Sequence, residues 1–246
     1  MRKMCFCLFF VLLISQNVYA RTPCDDGEIN CWECGEDCTA RFDPSTKTFN
    51  VAGTGPMANL ATAGQAANVP WYAIRGSVEH ITFDGSISSL SMYAFYDMPV
   101  KNVTIPSSVS SLEFGAFYKS GLESVIIPDS VTSIGNYVFS LNSQLTTVVV
   151  NDKLKFGVNL PFSLNNENLK IYCTGDLQTC QENVGPYADK VIKATKKQIN
   201  GVTYVYDANG KLCAKSGTRK NKRIYTLEEA TAVSKKTGNR FMIRYK

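Results

Sequence analysis

Residues 122–139 read Leu122-Glu-Ser-Val-Ile-Ile-Pro-Asp-Ser-Val-Thr-Ser-Ile-Gly-Asn-Tyr-Val-Phe139, and the same pattern recurs along the chain. An earlier copy, from Val103 to Phe117, precedes it by 22 residues. Self-similarity at a fixed period of about 20–50 residues is the signature of a solenoid, in which each unit packs on its neighbours. The columns that keep this spacing are Phe95, Phe117, Phe139, Phe162; Ile87, Val109, Val131, Leu154; and Phe83, Ile105, Ile127, Val150. The phenylalanine column is expected to form a stacked spine inside the solenoid.

The repeat resembles the BspA-type class of bacterial leucine-rich repeat proteins, whose units follow a similar Leu-x-x-Val-x-Ile-Pro-x-Ser-Val-Thr-x-Ile-Gly-x-x-Ala-Phe pattern. The resemblance covers residues 78–173. It implies a leucine-rich-repeat-like solenoid with a parallel β ribbon and short loop or helical turns, and a role in surface adhesion or host contact. The copies that begin at Leu145 and Leu169 depart from the pattern. Degenerate final units are expected, because the last repeat has no neighbour to cover it.

The first twenty residues have the form of an export signal. Arg2 and Lys3 precede an apolar run that ends at Ile14, and Val18-Tyr19-Ala20 places small residues where a signal peptidase would cut. The run is too short to cross a bilayer, which requires about 20 apolar residues. The sequence therefore predicts a signal peptide over residues 1–20, no transmembrane span, and a secreted or cell-surface location.

Cysteine usage fits an exported protein. Four cysteines lie in a cysteine-rich segment, residues 21–38, and are Cys24, Cys31, Cys34 and Cys38. Disulfides are favoured over zinc, because the chain is exported and no histidine is nearby. The sequence leaves the three alternative pairings open. Cys173 and Cys180 are expected to pair and fix the end of the solenoid, and Cys213 is left either as a buried free thiol or as an intermolecular partner.

The segments on either side of the repeats predict two caps. In residues 39–77, apolar and polar residues alternate around Asp43-Pro-Ser-Thr46, which predicts a β-hairpin that covers the edge of the first repeat. Residues 78–195 are assigned to the solenoid. Residues 196–246 are assigned to a small, basic α+β module with a hairpin at Asn209-Gly210, a helix from Thr226 and a last strand at Arg240-Phe-Met-Ile-Arg-Tyr245.

Charge is distributed unevenly along the chain. Residues 21–189 contain 9 Lys and Arg against 18 Asp and Glu, whereas residues 190–246 contain 15 against 3. The basic module therefore predicts attraction to an anionic cell-envelope component, such as an acidic glycan, a lipid headgroup or a nucleic acid. The alternative is a solvated face, or a tail that folds against the acidic body.

Alternation along the repeat strands predicts one continuous outward ribbon of side chains, the kind of surface that repeat proteins use for binding. The candidate binding residues are His80, Asn102, Ser124, Thr147, Lys170, Thr82, Thr104, Ile126, Val149 and Tyr172. The alternative interpretation is that Thr, Ile and Val are simply good strand formers at these positions.

The chain contains one histidine, His80, on a strand, so the common Ser-His-Asp and Cys-His catalytic arrangements have no sequence signature here. We therefore predict no enzyme, no metal and no cofactor, and an uncharacterised hydrolase is the least favoured of three hypotheses. The leading hypothesis is an exported leucine-rich repeat protein that binds a protein or glycan through its solenoid face. The second is a structural cell-envelope protein that residues 196–246 attach to an anionic surface.

Overall fold

The computed structural model describes residues 23–25, 27–156 and 160–217. The predicted signal peptide, the helix from Thr226 and the last strand lie outside these residues. The described strands are β1 (Cys31–Gly35), β2 (Cys38–Asp43), β3 (Thr48–Pro56), β4 (His80–Leu90), β5 (Asn102–Thr104), β6 (Ser111–Leu112), β7 (Ser124–Ile126), β8 (Ser133–Ile134), β9 (Thr147–Val150), β10 (Lys155–Phe156), β11 (Lys170–Cys173), β12 (Val191–Ile199), β13 (Val202–Asp207) and β14 (Leu212–Ser216). The α-helix α1 spans Leu177–Val184, and short 3-10 turns span Ala66–Asn68, Tyr72–Ser77 and Gly185–Lys190.

These strands form two sheets, of seven strands each within the described part of the chain. The first sheet has the order β1-β2-β3-β4-β6-β8-β10, and the second has the order β14-β13-β12-β11-β9-β7-β5. The repeat strands pair in parallel in both sheets. The sequence predicted a single ribbon and missed the two-residue strands β6, β8 and β10, because alternation cannot be recognised over two positions.

The phenylalanine column is the spine of the solenoid, as the spacing predicted. Phe95, Phe117 and Phe139 are 0% exposed and Phe162 is 2% exposed. Successive ring centroids lie 4.9, 5.6 and 5.7 Å apart, with interplanar angles of 22°, 9° and 11°. Each repeat therefore contacts the next through a stacked ring.

The N-terminal hairpin joins β2 to β3, with Phe42 opposite Phe49. Asp43 closes the turn, because its carboxylate accepts hydrogen bonds from the Ser45 backbone and from the Ser45 and Thr46 hydroxyls. These bonds, led by the Ser45 hydroxyl, lower the pKa of Asp43 to about 2. Strand β3 then pairs in parallel with β4 and covers the edge of the first repeat.

Disulfides secure both ends of the repeat region. Before the hairpin, the pairs are Cys24–Cys31 and Cys34–Cys38. At the other end, Cys173 pairs with Cys180, the pairing expected from the sequence. This bond joins β11 to α1, which begins where the Asp176 side chain accepts a hydrogen bond from the Thr179 backbone N–H at 2.8 Å.

The C-terminal module continues the second sheet. Strand β12 runs across the assigned boundary at residues 195 and 196 and pairs in parallel with β11, with Ile171 opposite Val191. A turn at Asn200-Gly201, with φ of 53° and 80°, reverses the chain into β13. The predicted hairpin around Asn209-Gly210 follows as β13 and β14, with Val205 opposite Ala214.

Candidate binding surfaces

The structure places the predicted ribbon on five strands. His80 and Thr82 lie on β4, which pairs with β3 in the first sheet and also contacts β5 of the second sheet. Strand β4 continues through Asp84, where later repeats have Pro106 and Pro128, which cannot donate a ladder hydrogen bond and which end their strands. The remaining residues lie on β5, β7, β9 and β11 of the second sheet, and are Asn102, Ser124, Thr147, Lys170, Thr104, Ile126, Val149 and Tyr172.

We call the side of β5, β7, β9 and β11 that points away from the solenoid core the outer strand face. Three side chains of this face, Asn102, Thr104 and Lys170, are exposed. Val149 and Tyr172, however, are only 2% and 8% exposed. The expectation that the whole column meets solvent is therefore wrong, although its side chains do point away from the core.

The C-terminal hairpin, Val202–Ser216, causes this burial. Strand β14 lies against β7 and β9. Val149 and Tyr172 form a hydrophobic cluster with Ala194, Val205 and Ala214. The hairpin thus folds back over the outer strand face and occupies part of the surface that the sequence assigned to a partner.

Polar contacts complete the hairpin's attachment. The Thr104 hydroxyl accepts hydrogen bonds from the Ser216 hydroxyl at 3.2 Å and from the Gly217 N–H at 3.1 Å. Lys196 forms an ion pair with Asp129. This pair joins the basic module to the acidic body, as one of the two interpretations of the charge pattern predicted.

Cys213 is a free cysteine on the hairpin and is partly buried. Its Sγ donates a hydrogen bond to the Lys211 carbonyl at 3.3 Å. Burial, followed by the neighbouring Cys213 side chain, raises the pKa of Tyr172 to about 12. The described residues therefore place a neutral tyrosine and an unpaired thiol together under the hairpin.

His80 lies at the mouth of a separate groove between the N-terminal cap and the first repeats. The groove has a volume of about 900 Å³, and Phe42, Lys47 and Lys101 also line it. Lys47 pairs with Glu79, and Lys101 pairs with Glu123 at 3.0 Å. The charges around His80 are thus largely neutralised by neighbouring side chains.

Sequence reasoning missed a second surface, which we call the tyrosine ribbon: Tyr72, Tyr96, Tyr118 and Tyr137. Tyr72 stacks on Tyr96 at 6.0 Å and Tyr96 stacks on Tyr118 at 5.9 Å, with interplanar angles of 18° and 7°. Tyr137 then meets Tyr118 edge to face at 6.5 Å. Tyr137 is 39% exposed and the other three rings are partly exposed. The ribbon forms a line of tyrosine rings that reaches solvent.

Charged side chains hold the ribbon in place. The Arg75 guanidinium carbon lies 3.8 Å from the centroid of the Tyr72 ring, and its Nε lies 3.4 Å from Asp97 Oδ2. Lys119 Nζ lies 3.3 Å from the other oxygen of the same carboxylate. Burial, followed by the charge of Asp97, raises the pKa of Tyr96. The rings are thus held in place by neighbouring charged side chains.

A second row of rings supports the ribbon from below. Tyr93 packs on Phe114 at 5.4 Å, and Phe114 packs on Tyr137 at 5.6 Å. Gly115 makes room for this row, because a Cβ at this position would lie 2.8 Å from the Tyr93 ring, and its φ is 61°. The available sequence signal was that Tyr96 and Tyr118 each follow a spine phenylalanine.

One group of potential metal ligands exists among the described residues, formed by Cys24, Glu28 and Cys31. The two sulfurs are joined to each other, and the Glu28 carboxylate binds Arg41 at 3.2 Å. This side-chain bond lowers the pKa of Glu28. The group therefore works as a structural staple. Within the described ranges, no helix has the length and apolar character needed to cross a membrane.

Comparison with known proteins identifies the repeats. Residues 71–184 match the family model described as BspA type leucine rich repeat region, in six copies. No curated protein matches the chain. A leucine-rich repeat protein from Eubacterium ventriosum is 22% identical, with a TM-score of 0.45, over 73% of this chain and 48% of that one. A leucine rich cell surface protein from Faecalibacterium prausnitzii is 13% identical, with a TM-score of 0.25, over 76% of this chain and 61% of that one.

This chain thus spans about half of the first structure's length and about three fifths of the second's. The family match includes Leu122–Phe139, the stretch that carried the resemblance, and confirms it. Residues 71–184 of this protein are a BspA-type leucine-rich repeat region.

Proposed function

We propose that this protein is an exported, non-enzymatic recognition module of the cell surface that binds a protein partner, in adhesion or host contact, through the tyrosine ribbon. The observation that carries the proposal is the stacked, solvent-reaching row from Tyr72 to Tyr137. Tyrosine is enriched at protein interfaces, where it provides a large rigid contact and a hydroxyl for hydrogen bonding.

The geometry favours a protein over a glycan. Tyr96 lies between two nearly parallel rings, with centroids 6.0 and 5.9 Å away, and Arg75 covers the Tyr72 ring at 3.8 Å, so little open aromatic face is left. A sugar ring would need such an open face. Tyrosine rings with hydroxyl groups, beside the alternating charges of Arg75, Asp97 and Lys119, instead match the mixed polar and apolar chemistry of a protein surface.

Fixed side chains also reduce the cost of association. Binding normally immobilises interface side chains at a cost of about 0.5–1.5 kcal/mol each. Tyr96 and Tyr118 are already immobilised by their stacking and by the ion pairs of Asp97. Most of this entropy is therefore lost on folding and not on binding. The ribbon therefore has the preorganisation expected of a binding surface.

The test is attachment of beads coated with the exported chain to cultured host cells and to a panel of purified extracellular-matrix proteins. The double variant Tyr118→Ser with Tyr137→Ser should weaken binding about tenfold or more, as expected for loss of hot-spot residues. The matched control is Leu164→Ser, which removes an apolar side chain that is 76% exposed on a later repeat. Equal attachment of the tyrosine variant and the wild type, with both folded, would refute the proposal.

Anchoring through the basic module, the second hypothesis, now depends on residues 218–246, which carry 9 Lys and Arg against 2 Glu. Nearer the body, Lys190 and Lys193 donate hydrogen bonds to the carbonyls of Glu167 and Gly175. Within the module, Lys196 pairs with Asp129. Part of the positive charge before residue 218 is thus engaged within the chain, and residues 218–246 are the main candidate for attachment to an anionic envelope component.

A further inference from the structure

The C-terminal hairpin rests on the outer strand face through few apolar side chains. Val205 and Ala214, 0% and 7% exposed, face each other on the hairpin and share a cluster with Val149 and Tyr172. This cluster is separate from the main core, which contains the phenylalanine spine. Small side chains bury little apolar area, so the hairpin is held on this face less strongly than a repeat is held on its neighbour. Strand β13 also pairs with residues 194–199 of β12, beyond the part of β12 that pairs with β11, so these residues move with the hairpin.

The rest of the contact is polar and open. The hydrogen bonds to Thr104 lie at the exposed surface, and the side chains of Lys196 and Asp129 keep 37% and 53% of their surface exposed. Exposed polar contacts of this kind contribute little to stability. Grooves of about 490 and 540 Å³ run between the hairpin and the repeats. The hairpin therefore covers the face without sealing it.

We propose that the hairpin Val202–Ser216, together with residues 194–199 of β12 that pair with it, is a displaceable cover, and that the outer strand face beneath it is a second interaction surface for an extended segment of a protein partner. The cover shows what chemistry the face accepts. Ala194, Val205 and Ala214 lie over Val149 and Tyr172, and Lys196 lies beside Asp129. A partner segment with the same features replaces the hairpin when the hairpin lifts.

This mechanism has a quantitative consequence that is independent of the tyrosine ribbon. A ligand that binds only the open state has an apparent Kd equal to its intrinsic Kd divided by the open fraction. Weakening the hairpin must therefore tighten partner binding, whereas locking it must abolish binding. A hairpin that is a permanent part of the fold would show neither effect.

The probe is a fluorescent synthetic peptide of residues 194–217, with Cys213→Ser to prevent disulfide exchange, titrated against the exported chain by anisotropy. Val205→Ser in the chain should lower the apparent Kd of the peptide about tenfold. In a Cys213→Ser chain, Thr104→Cys with Ser216→Cys places two thiols where the hydroxyl oxygens lie 3.2 Å apart. Oxidation of this pair locks the hairpin and should abolish peptide binding, and Thr104→Cys alone is the control.

A second release variant, Thr104→Ala, removes the acceptor of two hydrogen bonds and leaves the apolar cluster intact, so the test stands if Val205→Ser fails to fold. Peptide binding to the locked chain, or an unchanged Kd in the release variants that fold, would overturn the proposal. Variants of Tyr118 and Tyr137 should bind the peptide like wild type. Peptide binding thus tests the cover, whereas attachment of the same tyrosine variants to cells tests the proposed function, so the two proposals can fail separately.

Discussion

Replacing Phe117 by alanine removes the second ring of the spine, which is 0% exposed and stacked on both sides. Its neighbours Phe95 and Phe139 lie 4.9 and 5.6 Å away, centroid to centroid. Deleting a buried phenylalanine side chain costs about 3–5 kcal/mol, because apolar burial is lost and a cavity remains. Parallel strands on either side limit collapse of the cavity, so we expect a value in the upper half of this range.

The measurement is urea unfolding followed by circular dichroism, together with a thermal melt. For a protein of 150–250 residues, each 1 kcal/mol shifts Tm by about 2–4 °C, which predicts a decrease of about 8–20 °C for Phe117→Ala. The matched control is Phe114→Ala, the same chemical change at a partly exposed ring. This control should lower the free energy of unfolding clearly less than Phe117→Ala does, because less of the Phe114 ring leaves water on folding. If Phe117→Ala melts like wild type, or like Phe114→Ala, the stacked spine does not stabilise the solenoid.

Three further outcomes can be measured. The hydrogen bonds to the Asp43 carboxylate lower its pKa to about 2. Their contribution to the stability of the fold is therefore present above the unfolded pKa, near 4, and is lost as the pH falls toward 2. In acid titrations, Asp43→Asn should make the stability of the chain depend less on pH across that window. Replacing Cys173 and Cys180 together by serine should lower the free energy of unfolding by about 2–3 kcal/mol in urea, since the closed loop is short. Deleting residues 218–246 should abolish sedimentation with anionic lipid vesicles at low salt and leave the melt unchanged, and retained sedimentation would eliminate the tail as the anchor.

Local patterns in the sequence were sufficient for the solenoid and for both hairpins. The phenylalanine column and the turns around Asp43 and at Asn209-Gly210 depend on neighbours in the chain or on one fixed period. Such signals can be recognised in the sequence without any knowledge of tertiary contacts. The disulfide between Cys173 and Cys180 was equally local, because a short loop at the end of the solenoid leaves these two sulfurs close together.

The tyrosine ribbon was harder to find because its members do not share one repeat position. Tyr96 and Tyr118 are equivalent, but Tyr72 comes from the 3-10 turn before the repeats and Tyr137 from a different position in its unit. Only the winding of the chain aligns them. A search for aromatic residues one position after each spine phenylalanine would have found two of the four rings.

The cover on the outer strand face left a signal in the sequence that has two physical explanations. Along the column, the exposed side chains of Thr82 and Thr104 give way to Ile126, Val149 and Tyr172, so polarity falls toward the C-terminal repeats. Apolar side chains on the outward side of a strand require a cover, either from a partner or from the same chain. The hairpin supplies that cover here. Because the requirement is the same in both cases, the column predicts that something covers these side chains but does not show whether it is a partner or the same chain. A partner that displaces the hairpin must bury the same apolar side chains.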